Sequence, residues 1–153
     1  MRCFFRVCDL VTRELTEIYD LTDEIINYVA ESKIKNGHLL IQPMHTTVGI
    51  FLNEAEPRLI RDFARELGAR VPFKGDYLHD DIHKREDCPS DEPINCHSHL
   101  KSAFFSNPSL SLIIFGGKLQ LGRYQRILFG EFDGPCPRKH KTRRKYAVSI
   151  IGT

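Results

Sequence analysis

The chain has 153 residues, of which 41% are hydrophobic and 27% are charged, and this size and composition are typical of one soluble globular domain that can bury a core. Its 22 basic and 20 acidic side chains leave a formal net charge of +2, which argues against chain-wide electrostatic binding to nucleic acid or to an anionic membrane. We therefore expect a single domain over residues 1–153, with no nucleic-acid or membrane partner.

The 5 cysteines are odd in number, form no close CxxC pair and occur in a chain without a secretory leader. No apolar run approaches the roughly 20 residues that a membrane-spanning helix requires. These features predict reduced thiols in a soluble, cytoplasmic protein.

The first part of the chain predicts strands and helices in alternation. Residues 3–8 have the aromatic and aliphatic content of a strand, and an amphipathic helix is predicted to begin at Thr22 and to stop near Gly37. Residues 38–42 and 48–52 are short apolar runs typical of buried strands.

A second amphipathic helix is predicted from Pro57, a residue suited to the first turn, to Gly68, which would end it. Residues 73–95 then lose all periodicity, so we expect a long functional loop there. A short helix near His97 is followed by predicted strands at residues 110–115, 119–121, 124–132 and 145–151. Gly116 and Gly117 fit a tight hairpin turn.

The segment from Asn95 to Lys101 contains His97 and His99, which share one face if the segment is extended. Imidazole nitrogens are common metal ligands, whereas asparagine and lysine would suit an oxyanion such as phosphate. Two histidines alone are a weak metal signal. The alternative is that one histidine caps the following helix and the other lies in solvent.

The preceding loop alternates acids and imidazoles, with His79 beside Asp80 and His83 after Asp81. A carboxylate there could ligate a metal or hold a ligating histidine in the correct tautomer. An ordinary solvated loop is an equally good interpretation. The nearby cysteines are too widely spaced for a compact zinc site.

His45 precedes two hydroxyl side chains, Thr46 and Thr47, which could bind a phosphate while His45 acts as a ligand or as a general acid and base. The alternative is a turn whose threonines satisfy backbone groups. Asn53 and Glu54 could join such a site, although capping of the second helix is the simpler role for them.

Arg123 and Gln125 follow an apolar strand and could reach a ligand, and Glu131 lies where the next strand gives way to a turn. Each of these side chains could also be plain surface. The basic run at residues 138–141 has no interleaved aromatic side chains for stacking on RNA, so a solvated loop is favoured there.

Several polar motifs follow one another along the chain: His45-Thr46-Thr47-x-Gly49, Asn53-Glu54, His79, Asn95-x-x-x-His99-Leu100-Lys101, Leu121-Gly122-x-x-Gln125 and Glu131-Phe132-Asp133-Gly134-Pro135. Together they resemble the YjbQ family from about Phe4 to Gly152. The resemblance implies an α+β subunit with a mixed, largely antiparallel β-sheet and two to three helices, assembled as a homotrimer. It also implies a weak, secondary thiamine-phosphate synthase reaction, in which a pyrimidine pyrophosphate joins a thiazole phosphate with loss of pyrophosphate.

The resemblance carries over the family's polar positions residue by residue: His45, Thr47, Asn53, Glu54, His79, Asn95, His99, Lys101, Gln125 and Glu131. His97 resembles a subgroup with a second histidine at that position. The chain departs from the family at Arg123-Tyr124, where Thr-Trp is common, and in a longer loop that carries His83, Asp87 and Asp91. These departures leave the substrate open.

We therefore predict a histidine-rich site for a divalent metal, zinc or magnesium, or for a phosphate. The predicted metal ligands are His45, His79, His97 and His99. The predicted catalytic residues are His99, Lys101, His45 and Asp80, with Lys101 neutralising charge on a phosphate leaving group and Asp80 orienting a histidine. The predicted substrate- or phosphate-binding residues are Thr46, Thr47, Asn53, Glu54, Asn95, Gln125 and Glu131.

The predicted function is a thiamine-phosphate-synthase-like transfer between phosphorylated small molecules. The alternative is a noncatalytic trimeric module that binds a metal or a small phosphorylated metabolite, because the sequence shows no dedicated nucleophile.

Overall fold

The computed structural model describes residues 1–86, 88–138 and 143–153. Its helices are α1 (Thr22–Ser32), α2 (Pro57–Arg70) and α3 (Cys96–Phe105). Its strands are β1 (Arg2–Leu10), β2 (Glu17–Asp20), β3 (Gly37–Pro43), β4 (Val48–Asn53), β5 (Leu110–Phe115), β6 (Lys118–Leu119), β7 (Arg126–Glu131) and β8 (Arg144–Gly152). Short 3₁₀ turns at Leu78–Asp80 and Ile82–Lys84 lie in the long loop between α2 and α3.

The strands form two sheets, one in the order β1-β8-β3-β5-β6 and the other in the order β2-β7-β4. The predicted α+β class with two to three helices is confirmed. Within the described residues every strand pairing is antiparallel, so the single mixed sheet of the prediction is divided into two antiparallel ones.

The core lies on the inner face of the larger sheet. Leu39 and Ile41 of β3 pair with Ile150 and Val148 of β8, and all of these side chains are fully buried together with Ile25 of α1. Alternate strand residues point to the same face, so each strand contributes every second side chain to this core. Full burial of one such aliphatic side chain stabilises the fold by about 1.5–3 kcal/mol.

The helix ends differ from their prediction. Lys33 takes the left-handed conformation, with φ at 55°, and ends α1 before Gly37 is reached. Helix α2 continues through Gly68 to Arg70, because a glycine inside a helix costs only about 1 kcal/mol.

The N-terminus of α2 is capped by Glu56, whose carboxylate accepts hydrogen bonds from the backbone N–H groups of Arg58 (2.9 Å) and Leu59 (2.8 Å). Capping therefore comes from Glu56 rather than from Asn53 or Glu54.

Strand β2 was not predicted, because its 4 residues give too short a pattern. Its position is fixed by antiparallel pairing with β7.

The packing of α3 on β4 positions the bend between β3 and β4. The Ser102 hydroxyl donates to the carbonyl of Val48 at 2.7 Å, and Asn107 and Ile50 exchange backbone hydrogen bonds of 2.9 and 3.1 Å. Gly49 is required for this approach, since a Cβ there would lie 1.7 Å from Oγ of Ser106. The bend is thereby held beside α3.

None of the helices within the described residues combines the length and hydropathy that a membrane crossing demands.

Candidate functional site

A cleft of ≈ 290 Å³ is lined by residues of the β3–β4 bend, the start of α3 and the segment between β7 and β8. Its titratable side chains include His45, His99, Glu92, Asp133, Arg138, Arg143 and Arg144. Thr46 and Asn95 also line it. The cleft thus brings together His45 and His99, which come from separate motifs, and surrounds them with arginines.

The Nε2 atom of His45 is a hydrogen-bond donor, because Thr47 contacts the other ring nitrogen. Its Nδ1 accepts a hydrogen bond from the backbone N–H of Thr47 (3.3 Å), and the Thr47 hydroxyl lies 2.9 Å from the same nitrogen. A backbone N–H can only donate, so the neutral ring carries its proton on Nε2. This tautomer suits an oxyanion better than a metal ion, which requires a lone pair at Nε2.

The pKa of His45 is lowered from its ordinary value, first by burial and then by the positive charge of Arg144. The pKa of His99 is also lowered, by burial and then by His79, whose ring lies edge-on with the centroids 4.9 Å apart. Both cleft imidazoles are therefore neutral at pH 7. A neutral imidazole can donate one proton and accept another, which is the requirement for acid–base chemistry.

Arg144 is held in the cleft by Glu131 through Nε to Oε2 (2.6 Å) and Nη2 to Oε1 (3.0 Å). Glu131 is fully buried and also accepts hydrogen bonds from the Thr12 hydroxyl (3.1 Å) and the backbone N–H of Asp133 (2.9 Å). Burial alone would lower the pKa of Arg144, but the hydrogen bonds and charge of Glu131 raise it. Glu131, predicted to bind phosphate, therefore lies behind Arg144 and supports it.

Asp133 organises the other side of the cleft. Its Oδ2 accepts a hydrogen bond from Nδ2 of Asn95 (3.0 Å), and its Oδ1 accepts one from Nη2 of Arg138 (2.5 Å). Asn95 is 4% exposed, and its Oδ1 has no hydrogen-bond partner among the described residues. The orientation of the amide is set by the carboxylate, which leaves Oδ1 as an acceptor.

The charges around the cleft do not cancel. The buried acids Glu131 and Asp133 face the three arginines that line the cleft. The third acid, Glu92, forms an ion pair of 3.1 Å with Arg85, which does not line the cleft. Arg143 is exposed and forms no ion pair with any described residue, and Nη1 of Arg144 likewise donates to none of them. A surplus of positive charge with unused donors favours binding of an anion.

His97 does not line the cleft. It is fully buried, its ring lies 4.8 Å from that of Phe73, and its Nε2 lies 2.9 Å from Oγ of Ser98, which donates to the carbonyl of Phe132 at 2.5 Å. The prediction assumed an extended segment, in which His97 and His99 share a face. In helix α3 two residues two positions apart are turned by about 200°, so the two histidines face different ways.

Lys101 lies four positions after His97 and therefore on the same face of α3. It is 3% exposed, burial lowers its pKa, and it is not among the residues that line the cleft. The structure thus does not bring Lys101 to the cleft, where its predicted role would require it.

The predicted metal ligands come together only in pairs, His45 with His99 in the cleft and His79 with His99. Within residues 1–86, 88–138 and 143–153, no group of three or more His, Cys, Asp or Glu side chains is arranged to hold a metal ion. His79 packs against His99, and its Nε2 lies 4.0 Å from Oε1 of Glu92. Asp80 caps α3 by accepting a hydrogen bond from the backbone N–H of Cys96 at 2.9 Å, instead of orienting a histidine.

The remaining predicted binding residues divide between two places. Thr46 lines the cleft, whereas Thr47 is buried behind His45. Asn53, Glu54 and Gln125 line a separate shallow surface with Arg123 and Tyr124, at the far end of β4 from His45. There Oε1 of Gln125 accepts a hydrogen bond from the backbone N–H of Gly122 at 2.8 Å, so it shapes a turn.

The arginines of the cleft were not predicted as site residues from the sequence. The basic run at residues 138–141 was interpreted as a solvated loop, although Arg143 and Arg144 lie two and three residues beyond its end and the acids Glu131 and Asp133 precede it. That combination of acids and arginines at one sheet end is the signal that could have indicated an anion site. Residues 139–142, which include most of this run, and Asp87 of the long loop lie outside the described residues.

Comparison with known proteins gives consistent matches along almost the whole chain. The family model described as UPF0047 protein YjbQ-like matches residues 6–153. A UPF0047 protein of Methanocaldococcus jannaschii is 35% identical over 142 residues, which cover 92% of this chain and 89% of that protein. The UPF0047 protein YugU of Bacillus subtilis is 32% identical over 134 residues, covering 87% and 92%.

Solved structures agree with these relatives. A YbjQ-like protein of unknown function from Sulfolobus solfataricus superposes with a TM-score of 0.84 at 29% identity and covers 99% of both chains. An uncharacterised protein of the yjbq/upf0047 family from Clostridium acetobutylicum has a TM-score of 0.79 at 34% identity, covering 95% of this chain and 99% of its own. The chain belongs to the YjbQ/UPF0047 family, whose function these relatives do not establish.

Proposed function

We propose that the cleft binds the phosphate group of a small phosphorylated molecule. The observation that carries this proposal is the convergence of His45, in its Nε2–H tautomer, with Arg143 and with Nη1 of Arg144. Charge-assisted hydrogen bonds from arginine to phosphate are among the strongest that a protein makes. The buried Glu131 fixes Arg144 before a ligand arrives, so little ordering is needed on binding.

The proposed reaction is a transferase reaction of the thiamine-phosphate-synthase type, on phosphorylated small molecules. Arg143 and Arg144 would stabilise the charge that develops on a leaving pyrophosphate, and His45 would donate a hydrogen bond from Nε2 to one of its oxygens. His99 lines the same cleft and would hydrogen-bond to the phosphorylated substrates. The lowered pKa values of both rings favour their neutral form, in which each ring offers one N–H donor and one acceptor nitrogen.

Isothermal titration calorimetry with inorganic phosphate tests the binding site. Arg143→Ala should weaken phosphate binding by about three- to tenfold, because it removes an unpaired charge from the cleft. Arg58→Ala is the matched control, since Arg58 is an exposed arginine on α2, away from the cleft. Equal phosphate affinity of Arg143→Ala and the unmodified protein would contradict the proposal.

The predicted divalent metal is tested separately. Zinc and magnesium should be measured in protein purified without chelators and without a histidine tag. About one equivalent per chain would favour a metal centre at His45 and His99 over a bare oxyanion site.

The second candidate function is a noncatalytic module that binds the same class of ligand. The observation in its favour is that the cleft is lined by the guanidinium groups of Arg138, Arg143 and Arg144, which can hold an anion without taking part in a reaction. Turnover assays with a pyrimidine pyrophosphate and a thiazole phosphate separate the two functions. Phosphate binding without turnover would support the module.

We also propose a homotrimer that buries the outer face of the larger sheet. This face exposes Phe5, Leu40, Ile113, Phe115 and Ile151, which are 40% or more exposed and lie on adjacent strands. A contiguous apolar face of this kind is typical of an interface. Light scattering after gel filtration should give three times the mass of the 17.7 kDa chain, and Phe115→Asp should reduce it.

We propose a cytoplasmic location. Cys3, Cys8, Cys88 and Cys96 are free thiols, which suits a reducing compartment.

A further inference from the structure

A second cavity adjoins the cleft. It measures ≈ 460 Å³, and His45 and Thr46 line both cavities. The side chains on its other side include Gln42 at the end of β3, Ser102 and Ala103 of α3, and Ser106, which directly follows α3. The β3–β4 bend therefore stands between two compartments, and a ligand at His45 can extend into either of them.

The two compartments differ in charge. Three arginines and two acids line the cleft, whereas none of the described residues that line the second cavity is an Asp, Glu, Lys or Arg. A charged group placed in the second cavity would find no countercharge there. An uncharged group loses little on leaving water, provided that its polar atoms find partners.

Two of the hydroxyl groups that line the second cavity, those of Ser102 and Ser106, can only accept hydrogen bonds from a ligand. The Ser102 hydroxyl donates its hydrogen to the carbonyl of Val48 (2.7 Å), and the Ser106 hydroxyl donates to the carbonyl of Ser102 (2.8 Å). Each hydroxyl has only one hydrogen, so both oxygens have only lone pairs left for a ligand. An N–H or O–H donor on the ligand would match them.

We propose that the second cavity receives the uncharged, hydrogen-bond-donating part of the ligand whose phosphate occupies the cleft, with His45 at the junction. This inference rests on the proposed function and specifies the substrate class. The substrate is a phosphate ester of a small, uncharged, N–H- or O–H-bearing group. Its phosphate or pyrophosphate end lies in the cleft, and a ligand with a second charged end is excluded because that charge would lie where no countercharge is found.

The position of His45 gives this arrangement a chemical consequence. A ring that borders both compartments lies beside the bond between the phosphate and the neutral group. Its Nε2–H is then suited to hydrogen bonding with the bridging ester oxygen or with an oxygen of the leaving group.

The test compares inorganic phosphate with benzyl phosphate and 4-aminobenzyl phosphate by isothermal titration calorimetry on the full chain. The unmodified protein should bind 4-aminobenzyl phosphate about tenfold more tightly than inorganic phosphate, with benzyl phosphate between them. Ala103→Phe should fill the second cavity and remove this advantage while leaving the affinity for inorganic phosphate unchanged. Ala103→Ser, which keeps the side chain small, is the matched control.

Gln42→Phe provides a second filling variant from the opposite wall, because Gln42 lines this cavity from β3 and phenylalanine is favoured in strands. The inference is overturned if the esters bind no more tightly than inorganic phosphate, or if both filling variants keep the ester advantage. A protein that binds neither phosphate nor the esters would refute the proposed function, and this inference with it. Binding of phosphate without an ester advantage would refute this inference alone.

Discussion

Glu131 and Arg144 form a buried pair in which both carboxylate oxygens of the glutamate accept hydrogen bonds from the guanidinium, at 2.6 and 3.0 Å. The glutamate is 0% exposed and the arginine 8% exposed. Each of these charges is removed from water and depends on the other for compensation. The pair joins the end of β7 to the start of β8, so it fixes the floor of the cleft and the local fold together.

We predict that Glu131→Gln lowers the free energy of unfolding by about 3–5 kcal/mol, because it leaves the Arg144 guanidinium buried without its countercharge. Urea denaturation at pH 7 measures this loss. Glu54→Gln is the matched control and should change stability by no more than about 0.5 kcal/mol, since Glu54 is exposed. Equal stability of the two variants would show that Arg144 does not depend on Glu131.

The two histidines of α3 should respond in opposite ways to truncation. His97→Ala removes a fully buried ring packed against Phe73, so we expect a loss of about 2–4 kcal/mol in the free energy of unfolding. His99→Ala should cost less than about 1 kcal/mol, because His99 is only partly buried, but it should abolish turnover or weaken phosphate binding. Thermal unfolding and calorimetry on both variants separate structural from functional histidines. A reversed pattern would contradict the placement of the two rings.

Much of the secondary structure could be predicted from the sequence. Strands β3, β4, β5 and β8 each bury one face or both, and their apolar patterns give their positions to within about two residues. The ends of the helices could not be predicted, because they depend on single backbone conformations such as the left-handed one of Lys33. A side chain with a Cβ rarely takes that conformation, and no local pattern marked it.

The candidate site could be predicted only in part. The motifs around His45 and His99 indicated the two imidazoles that do line the cleft. The face on which His97 lies required knowing that its segment is helical rather than extended. The arginines of the cleft come from a segment whose sequence is typical of a solvated basic loop. Their role depends on contacts with the buried Glu131 and Asp133, which only the fold shows.

The stability of the protein should fall as the pH decreases below about 6.5. Burial, followed by the charge of Lys101, lowers the pKa of His97 in the folded chain below its ordinary value of 6.5. Between these two pKa values the unfolded chain binds more protons than the folded one, so stability is lost as the pH falls through this window. His45 and His99 have lowered pKa values as well and act in the same direction.

Urea denaturation at pH 7.5, 6.5, 6.0 and 5.5 measures this dependence. His97→Gln, which retains hydrogen-bonding capacity but does not titrate, should show a shallower loss of stability across the same range. An identical slope in the variant would show that other groups account for the acid sensitivity.

An anion in the cleft should raise the pKa of His45, so the binding of sulfate near pH 6 should be accompanied by proton uptake. Sulfate itself does not titrate in this range, so the protons are taken up by the protein.

Lys101 provides a test between the sequence-based role and the role that the structure indicates. It is 3% exposed, forms no ion pair with any described residue and lies outside the lining of the cleft. Burial lowers its pKa from 10.5, which means that the folded state bears a cost for keeping the amine charged. Stability should therefore rise as the pH increases from the lowered folded pKa toward 10.5, where the unfolded chain still holds its proton.

Lys101→Met keeps the length of the side chain and removes the charge, so we expect the free energy of unfolding at pH 7 to increase by about 1 kcal/mol. The same variant should lose the alkaline rise in stability and retain its affinity for inorganic phosphate, because the amine does not contribute to the cleft. Lys101→Ala serves as the contrasting variant, since it also removes the charge but leaves a cavity and should destabilise the protein. Loss of phosphate binding in the stable methionine variant would instead support the predicted role of Lys101 in neutralising the leaving group.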